Sequence, residues 1–271
     1  IQIVVQSKVF EVATFRQDLD YMDGRRPDGY EPSTPEADAS RRDFTINGMF
    51  IDPNTGELID FVNGLEDIKL QTLRAIGDPD IRFQEDHLRL LRAVRFASVL
   101  EFEIEKNTWL AIRNHAALLS NISVERIRTE FVRMLTESKR AGDGLVMLFE
   151  SGLLEIILPE ILPCIGCEQP PEFHPEGDVW QHSVMMLDEL EAPSEALALS
   201  VLLHDIGKPP TRTVEKDRVR FQGHAQVGAD IAENWMTKMK FSKALRQEVV
   251  GLVYRHMDMM NVPHMRKATL R

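Results

Sequence analysis

Hydrophobic and polar residues alternate over the first part of the chain and follow a helical period over the rest. The runs IQIVV (1–5) and KVFEVATF (8–15) are rich in β-branched and aromatic residues and flank the polar turn QSK, which predicts two strands. A second pair, INGMFID (46–52) and GELIDFV (56–62), flanks PNTG and predicts a hairpin. Residues 1–75 are therefore expected to be rich in strands and to complete a sheet that begins before residue 1.

From about Asp80 the apolar positions recur with the 3.6-residue period of an amphipathic helix. This period predicts helices over 83–100, 108–119 and 123–135, the third beginning at Ser123. The sequence thus changes from strand-forming to helix-forming near residue 76.

Segment 159–178 holds five prolines and two glycines and is the clearest candidate for a linker. A second helical region follows it, with predicted helices over 183–190, 195–208 and 228–239. The pattern predicts an α+β chain in three parts, at 1–75, 76–160 and 161–271.

Composition narrows the class of protein. The 271 residues are 43% hydrophobic and carry a net charge of −11, which argues against a general polyanion binder. No apolar run reaches the roughly 18–20 residues of a membrane span, so no membrane partner is expected. Two cysteines give no disulfide framework and indicate a reducing cytoplasm. The chain opens inside an apolar run without Met, so we expect a fragment of a longer protein.

The stretch FQEDHLRLLRAVRF (83–96) is predicted to form a single helix. It carries one carboxylate and three guanidinium groups at intervals of three residues, at Asp86, Arg89, Arg92 and Arg95. Arginine only donates hydrogen bonds and ionised aspartate only accepts them. Cytosine and adenine both present an amino donor beside a ring-nitrogen acceptor, whereas uracil and guanine present the reverse polarity. A fixed Asp/Arg pair therefore selects C and A, and unpaired buried groups reject the others by up to about 10⁴-fold. Ordinary acid–base pairs on a helix surface are the alternative interpretation.

Several ordered motifs surround this stretch and carry a resemblance. Together they resemble the class II tRNA nucleotidyltransferases, namely the CCA-adding enzymes and related bacterial poly(A) polymerases, over most of residues 1–160. The motifs are EVATFRQDLDYMDGRRPD (11–28), SRRDFTINGM (40–49), DFVNGLEDIKLQTLRAIGDPDIRFQED (60–86), ISVERIRTEF (122–131) and LFESGLL (148–154).

The resemblance implies that the chain takes part in adding C and A to tRNA 3′ ends from CTP and ATP with Mg²⁺. It implies that Asp86 and Arg89 read the base, with Arg92 and Arg95 beside them. The guanidinium groups of Arg92 and Arg95 are able to hold a triphosphate by charge-assisted contacts. It further implies that Arg42 and Asp43 contact the triphosphate and ribose. Full CCA addition, A-only addition and polyadenylation share these motifs.

The metal-binding carboxylates of this family lie in an Asp-x-Asp motif after a Gly-Gly loop, and residues 1–271 contain no such motif. We therefore expect that this fragment binds nucleotide but does not extend tRNA by itself. Glu11, in VFEV, is either a third catalytic carboxylate on a later strand or an exposed strand residue. Residues 16–28 are either the flexible loop associated with adding the terminal A or a solvated connector.

A second constellation begins at HDIGK (204–208), directly after the apolar run LALSVLL. Adjacent His and Asp at the end of a buried helix aim two metal ligands into one cleft. This pattern resembles the HD-domain phosphohydrolases, whose final Asp would lie beyond Arg271. Neutral imidazole and carboxylate suit Mn²⁺, Ni²⁺ or Fe²⁺. The candidate ligands are His182, His204, Asp205, His224 and His256.

The two resemblances imply the remnant of a polymerase-beta-like nucleotidyltransferase sheet at 1–75, a helical nucleotide-reading neck at 76–160 and an all-α HD domain at 161–271. Two alternatives to nucleotide addition remain open at this point. In the first alternative, the activity of the protein is that of a metal-dependent HD phosphohydrolase. In the second, the chain binds RNA or nucleotide without catalysis. The CxxC at Cys164 and Cys167 is interpreted as a pair of packed, inert thiols.

Overall fold

All β-sheets within residues 1–6, 8–19, 29–215 and 218–258, the part that the computed structural model describes, have two strands. By backbone contacts the chain divides into two units, one of residues 1–93 and 101–121 and the other of residues 94–100 and 122–271. Each unit is described separately below.

Four strand pairs lie in the first unit. Three are antiparallel hairpins, and the pair β7–β8 is parallel, with Thr72 opposite Glu103. The two hairpins predicted around QSK and PNTG are confirmed. The strands are β1 Gln2–Val5, β2 Lys8–Glu11, β3 Arg16–Asp18, β4 Tyr30–Pro32, β5 Met49–Ile51, β6 Leu58–Asp60, β7 Thr72–Leu73 and β8 Glu103–Ile104.

Five helices begin in the first unit, and a short 3₁₀ turn at Thr45–Asn47 follows the first of them. The core of this unit includes Phe44, Phe83 and Leu91, each with no exposed surface. The fourth helix continues into the residues that belong to the second unit. The helices are α1 Pro35–Ser40, α2 Gly64–Lys69, α3 Pro79–Glu85, α4 Leu88–Leu100 and α5 Lys106–His115.

The single helix predicted over 83–100 was wrong, because two helices meet at Asp86. The backbone of Asp86 is extended, with φ −141° and ψ 103°, and its Oδ1 accepts a hydrogen bond from the amide of Leu88 at 3.1 Å. A short acidic side chain competes with the helical backbone in this way and starts a new helix. Asp86 therefore lies at a helix junction, one turn before Arg89.

Within its described residues, the second unit contains helices, irregular connections and one pair of antiparallel strands, β9 Thr213–Glu215 with β10 Arg218–Arg220. Its core surrounds α10, in which six of nine residues are buried, and Trp235 of α12 donates from Nε1 to the carbonyl of Ile157 at 2.8 Å. The helices are α6 Val124–Glu137, α7 Ala141–Glu150, α8 Leu154–Ile157, α9 Val179–Asp188, α10 Glu195–Leu203, α11 Lys208–Thr211, α12 His224–Lys238 and α13 Lys243–Arg255.

Most of the loop assigned to 16–28 lies outside the described residues, which omit 20–28. The segment predicted as a linker, 159–178, begins with a 3₁₀ turn and contributes buried residues, such as Ile161 and Cys164, to the second unit. Among the helices within the described ranges, none has both the length and the apolar character required to span a bilayer.

Candidate nucleotide cleft and metal centre

Arg42 and Asp43 lie where the chain leaves α1 and enters the core of the first unit. Phe44, fully buried, anchors this passage, and the amide of Ile76 donates to the carbonyl of Asp43 at 3.1 Å. The carboxylate of Asp43 accepts from its neighbour's amide and from Asn47 Nδ2 at 3.0 Å. The segment is thus held by backbone pairing, and its polar side chains have fixed directions.

Asp38, which the sequence analysis did not select, holds the two arginines of this passage. Its Oδ1 accepts from Arg41 at 2.6 and 3.0 Å, and its Oδ2 accepts from Arg42 at 2.9 and 3.1 Å. Burial alone would raise the pKa of Asp38, but hydrogen bonds from Arg41 and Arg42 outweigh it and lower that pKa. One buried carboxylate therefore orients two guanidinium groups.

Arg89 and Arg92 of α4 reach the same passage. Arg92 binds Asp43 Oδ2 through Nε and Nη2 at 2.9 and 2.6 Å. Arg89 binds Glu85 at 2.7 Å and donates to the carbonyl of Arg41 at 2.9 Å. The structure thus brings together four of the predicted residues, Arg42, Asp43, Arg89 and Arg92, with Asp86 one turn before Arg89.

Arg95 has different surroundings. Its side chain is 3% exposed and its Nε lies 2.5 Å from Glu130 Oε2, within the second unit. Its guanidinium also lies 4.0 Å from the centre of the Phe96 ring. Arg95 therefore has a buried carboxylate partner inside the protein, and its predicted contact with a triphosphate stays a prediction.

Glu11 and Arg42 line one cleft of about 630 Å³ in the first unit, together with Arg16, Asp38 and Arg41. Glu11 ends β2 and its Oε1 accepts from Gln2 at 3.1 Å. Among the described residues, every group of side chains that can hold a metal ion lies in the second unit. Glu11 alone does not form a Mg²⁺ site, because Mg²⁺ takes several oxygen ligands.

All five predicted ligands of the second constellation converge. The Nε2 atoms of His204, His224 and His256 lie 3.1, 3.5 and 3.7 Å from the carboxylate of Asp205, and that of His182 lies at 3.8 Å. Oδ2 of Asp205 faces His182 and His204, whereas Oδ1 faces the other two imidazoles. Asp205 is therefore placed between two possible metal positions.

Backbone carbonyls fix the orientation of three of these imidazoles. Nδ1 of His204, His224 and His256 each lies 2.6–2.8 Å from the carbonyl three residues earlier. A carbonyl only accepts, so each of these Nδ1 atoms carries a proton, and each Nε2 faces the centre, where its lone pair would bind a metal. Burial lowers the pKa of His182 and that of His256, which favours the neutral form that binds metal.

The buried helix α10 delivers His204 and Asp205, and Gly207 lets the chain pass against α12. A Cβ at Gly207 would overlap the carbonyl oxygen of His224. Burial would raise the pKa of Asp205, but His204 and Lys208 outweigh it and lower that pKa. This donor set of four imidazoles around one carboxylate fits a divalent transition metal.

The sequence analysis did not select two further residues of this centre, Lys208 and Glu176. Lys208 Nζ lies 2.6 Å from Asp205 Oδ2 and 2.5 Å from Gln169 Oε1, and Glu176 contacts His182. The HDIGK motif contained Lys208, and only its spacing of three residues from Asp205 pointed to an interaction. Glu176 lay in the proline-rich segment that was interpreted as a linker, where no periodic signal existed.

Three family models match successive parts of the chain. Family models described as the poly A polymerase head domain, the probable RNA and SrmB-binding site of polymerase A, and the HD domain match residues 1–74, 101–165 and 177–270. The chain is 47% identical over 153 residues to a CCA-adding enzyme of Enterococcus faecalis, covering 56% of this chain and 37% of that protein. It is 36% identical over 248 residues to a CC-adding tRNA nucleotidyltransferase of Thermus thermophilus, covering 87% and 55%.

Solved structures show the same relationship. One of a CCA-adding enzyme in its apo form II matches with a TM-score of 0.63 at 20% identity, over 96% of this chain and 56% of that one. Another, the Bacillus stearothermophilus CCA-adding enzyme in complex with CTP, matches with a TM-score of 0.52 at 26% identity, over 97% and 66%. The α+β fold class predicted from the sequence is confirmed.

Models of a polymerase-type head, a polymerase RNA-binding region and an HD domain thus match three successive parts of one chain. The chain is similar to tRNA nucleotidyltransferases that include CCA-adding enzymes, and the resemblance stated above is confirmed. It spans between about a third and slightly over half of the length of the curated relatives it matches. Both component families generally use divalent metals.

Proposed function

We propose that the protein containing this chain adds C and A nucleotides to tRNA 3′ ends from CTP and ATP. The observation that carries the proposal is a cluster beside a cleft of about 630 Å³ that Arg42 lines. In it, Arg92 binds Asp43 directly, Arg42 and Asp43 both contact Asn47, and Arg89 donates to the carbonyl of Arg41. Similarity to CCA-adding and CC-adding enzymes supports it.

The contacts suggest a division of work within the cluster. Arg42 lines the cleft with its side chain 37% exposed, so it supplies positive charge where a triphosphate enters. Arg92 fixes Asp43, whose pKa is lowered because the charge of Arg92 and the hydrogen bond from Asn47 outweigh its burial. Asp43 therefore stays ionised and is held as an acceptor for a ribose hydroxyl.

Base selection is assigned to Asp86 and Arg89. The three contacts of Arg89, to Glu85 and to the carbonyls of Arg82 and Arg41, fix a guanidinium that has five donors. Ionised Asp86 supplies only acceptors, and the amide of Leu88 takes one of its lone-pair sites. An acceptor and a donor one turn apart match the amino group and ring nitrogen shared by C and A.

Nucleotide selection tests this assignment. In the full protein, Asp86→Ala is expected to lower the preference for CTP and ATP over UTP and GTP, since the amino group loses its acceptor. Extension of tRNA transcripts ending before C, after C and after CC should be measured with each nucleotide. Asp80→Ala is the control, because Asp80 pairs with His115. Unchanged ratios with Asp86→Ala would refute the base-reading assignment.

Magnesium is proposed as the ion for nucleotide addition. Among the described residues, no group of three potential metal ligands lies in the first unit, and Glu11 is proposed as one of the carboxylates that hold the ion. We expect this chain alone to bind CTP and ATP without extending tRNA. Calorimetric titration beside a radiolabelled extension assay tests both expectations, and detectable extension by the chain alone would contradict the second.

A cytoplasmic location is proposed too, in keeping with two unpaired, buried cysteines.

A second function is favoured by the convergence of four imidazoles on Asp205. We propose that the HD domain binds Mn²⁺, Ni²⁺ or Fe²⁺ and hydrolyses a phosphoester. When bound, the metal would supply Lewis acidity and an activated water. His182, His204 and Asp205 Oδ2 would form one position, and Asp205 Oδ1 with His224 and His256 would form the other.

Elemental analysis decides whether this domain binds metal. The full protein is expected to retain a transition metal after dialysis, and His204→Ala is expected to lose it. His115→Ala is the matched control, since His115 belongs to the first unit and contacts Asp80 there. Equal metal content in all three proteins would reject the site, and phosphodiesterase assays of the loaded protein would then have no basis.

A further inference from the structure

Glu176 joins the metal centre to the segment that precedes α9. Its Oε1 lies 2.6 Å from His182 Nδ1 and 3.0 Å from His174 Nδ1. The rings of the two histidines meet edge to face at 4.9 Å between centroids. All three side chains are at most about a quarter exposed. The carboxylate is therefore held between two imidazoles and not in open solvent.

His182 differs from the other three imidazoles of the centre in what its Nδ1 contacts. Their Nδ1 atoms donate to backbone carbonyls, whereas that of His182 faces a carboxylate. Its Nε2 points inward, 3.2 Å from His204 Nε2. A carboxylate that accepts from the outer nitrogen of a metal-binding imidazole fixes its tautomer and increases its basicity.

We propose that Glu176 is a positioning residue for His182, which makes the segment His174–Asp178 part of the metal centre. The inference rests on the proposed metal binding of the HD domain. In this role Glu176 holds the proton on Nδ1 and turns the Nε2 lone pair towards Asp205, and His174 holds Glu176 from its other side.

The local sequence builds the geometry that this role needs. Gly177 has φ +129°, a region that favours glycine, and a Cβ there would overlap the side chain of Gln181. Asp178 caps α9, with its Oδ1 accepting from the amide of Gln181 at 2.8 Å and its Oδ2 from that of Gly166 at 2.6 Å. The turn thus places Glu176 at the start of α9, six residues before His182.

A separate metal ion held by His174, Glu176 and His182 is the competing explanation, because these three side chains also have suitable donor atoms. It requires His182 Nδ1 to be a ligand at the same time as Nε2 serves the main centre. The 2.6 Å separation between Nδ1 and Glu176 Oε1 matches a charge-assisted hydrogen bond, which favours the positioning role.

Metal affinity and tautomer state together test the proposal. Co²⁺ is titrated into the metal-free full protein and followed by its visible spectrum, for the wild type, Glu176→Gln, Glu176→Ala and the control Glu172→Ala. Glu172 is an exposed residue four positions earlier in the chain. Nitrogen-15 spectra of labelled histidine report which nitrogen of His182 carries the proton in the metal-free protein.

Glu176→Ala is expected to weaken Co²⁺ binding about 10–100-fold and to remove the preference of His182 for the Nδ1-protonated form. Glu176→Gln, which keeps an acceptor without its charge, is expected to lie between Glu176→Ala and the wild type. If Glu176→Ala binds Co²⁺ as tightly as the wild type and His182 keeps its tautomer, the positioning role is overturned. It is also overturned if Glu176→Ala binds one equivalent of Co²⁺ fewer and holds the remaining Co²⁺ with unchanged affinity. Absence of Co²⁺ binding in the wild type would instead overturn the metal centre itself.

Discussion

Replacing Asp38 by Asn removes the negative charge of a buried carboxylate that accepts hydrogen bonds from three arginines of the first unit. Asp38 is 3% exposed and accepts four hydrogen bonds from two guanidinium groups, together with one from the amide of Arg16 at 3.3 Å. Removing one partner from a buried ion pair costs about 3–5 kcal/mol. The side chains of Arg41 and Arg42 are 24% and 37% exposed, so water replaces part of the interaction. We therefore expect a loss of about 2–3 kcal/mol.

The effect should depend on pH in a defined direction. The pKa of Asp38 in the folded protein lies below its ordinary value of about 3.9. A depressed pKa means that the stabilisation is fully present above about pH 4 and is lost as pH falls through the folded pKa. The difference in unfolding free energy between wild type and Asp38→Asn should therefore be largest near neutral pH and shrink towards pH 3.

Urea titration with hydrogen-exchange mass spectrometry of peptides covering 34–48 measures unfolding of this unit apart from the other. Glu36→Gln, on the exposed side of the same helix, is the control and is expected to change stability by less than about 0.5 kcal/mol. A difference for Asp38→Asn that stays constant from pH 7 to pH 3, or that equals the control, would refute the reasoning.

Three further predictions concern the second unit. Arg95→Ala is expected to lower its unfolding free energy by about 3–5 kcal/mol by removing the buried guanidinium that binds Glu130. An apolar pair, Arg95→Met with Glu130→Leu, should restore most of this loss in urea titrations, and equal losses in both would contradict the ion-pair argument. Gly207→Ala should reduce metal content as strongly as loss of a ligand, as measured by elemental analysis, because the added Cβ displaces α12; retained metal would contradict this. Burial raises the pKa of Cys164 to about 12 and also raises the pKa of Cys167. Both thiols should therefore react with a disulfide reagent at pH 8 only after the protein unfolds, and rapid labelling of the native protein would contradict this prediction.

The sequence predicted features whose cause is local. The hairpin around PNTG follows from turn residues between two alternating runs, and Met49 indeed pairs with Asp60. The placement of His204 and Asp205 in one centre follows from the buried helix α10 that leads into them, since such a helix fixes where the side chains at its end point. In both cases a short stretch of chain contains the whole physical reason.

Features that depend on the direction in which a polar side chain turns were missed. The helix break at Asp86 arises because its carboxylate caps the next helix, a competition that periodicity does not register. Asp38 gains its importance only when Arg41 and Arg42 fold back over it, and Glu176 lies in a proline-rich turn whose path is set by contacts with α9. Residue type alone did not separate these carboxylates from the exposed ones around them.

The four arginines that the sequence analysis placed at one site differ in how far their side chains are buried. Side-chain exposure falls from 37% at Arg42 through 29% at Arg92 and 9% at Arg89 to 3% at Arg95. A phosphate is met most readily by a guanidinium that is already partly hydrated, because a buried one must first give up a carboxylate partner. This order favours Arg42 for phosphate contact, assigns Arg92 to holding Asp43, and makes Arg89 a fixed donor suited to reading a base. It leaves Arg95 best explained by its pairing with Glu130, so the regular three-residue spacing along the chain serves more than one purpose.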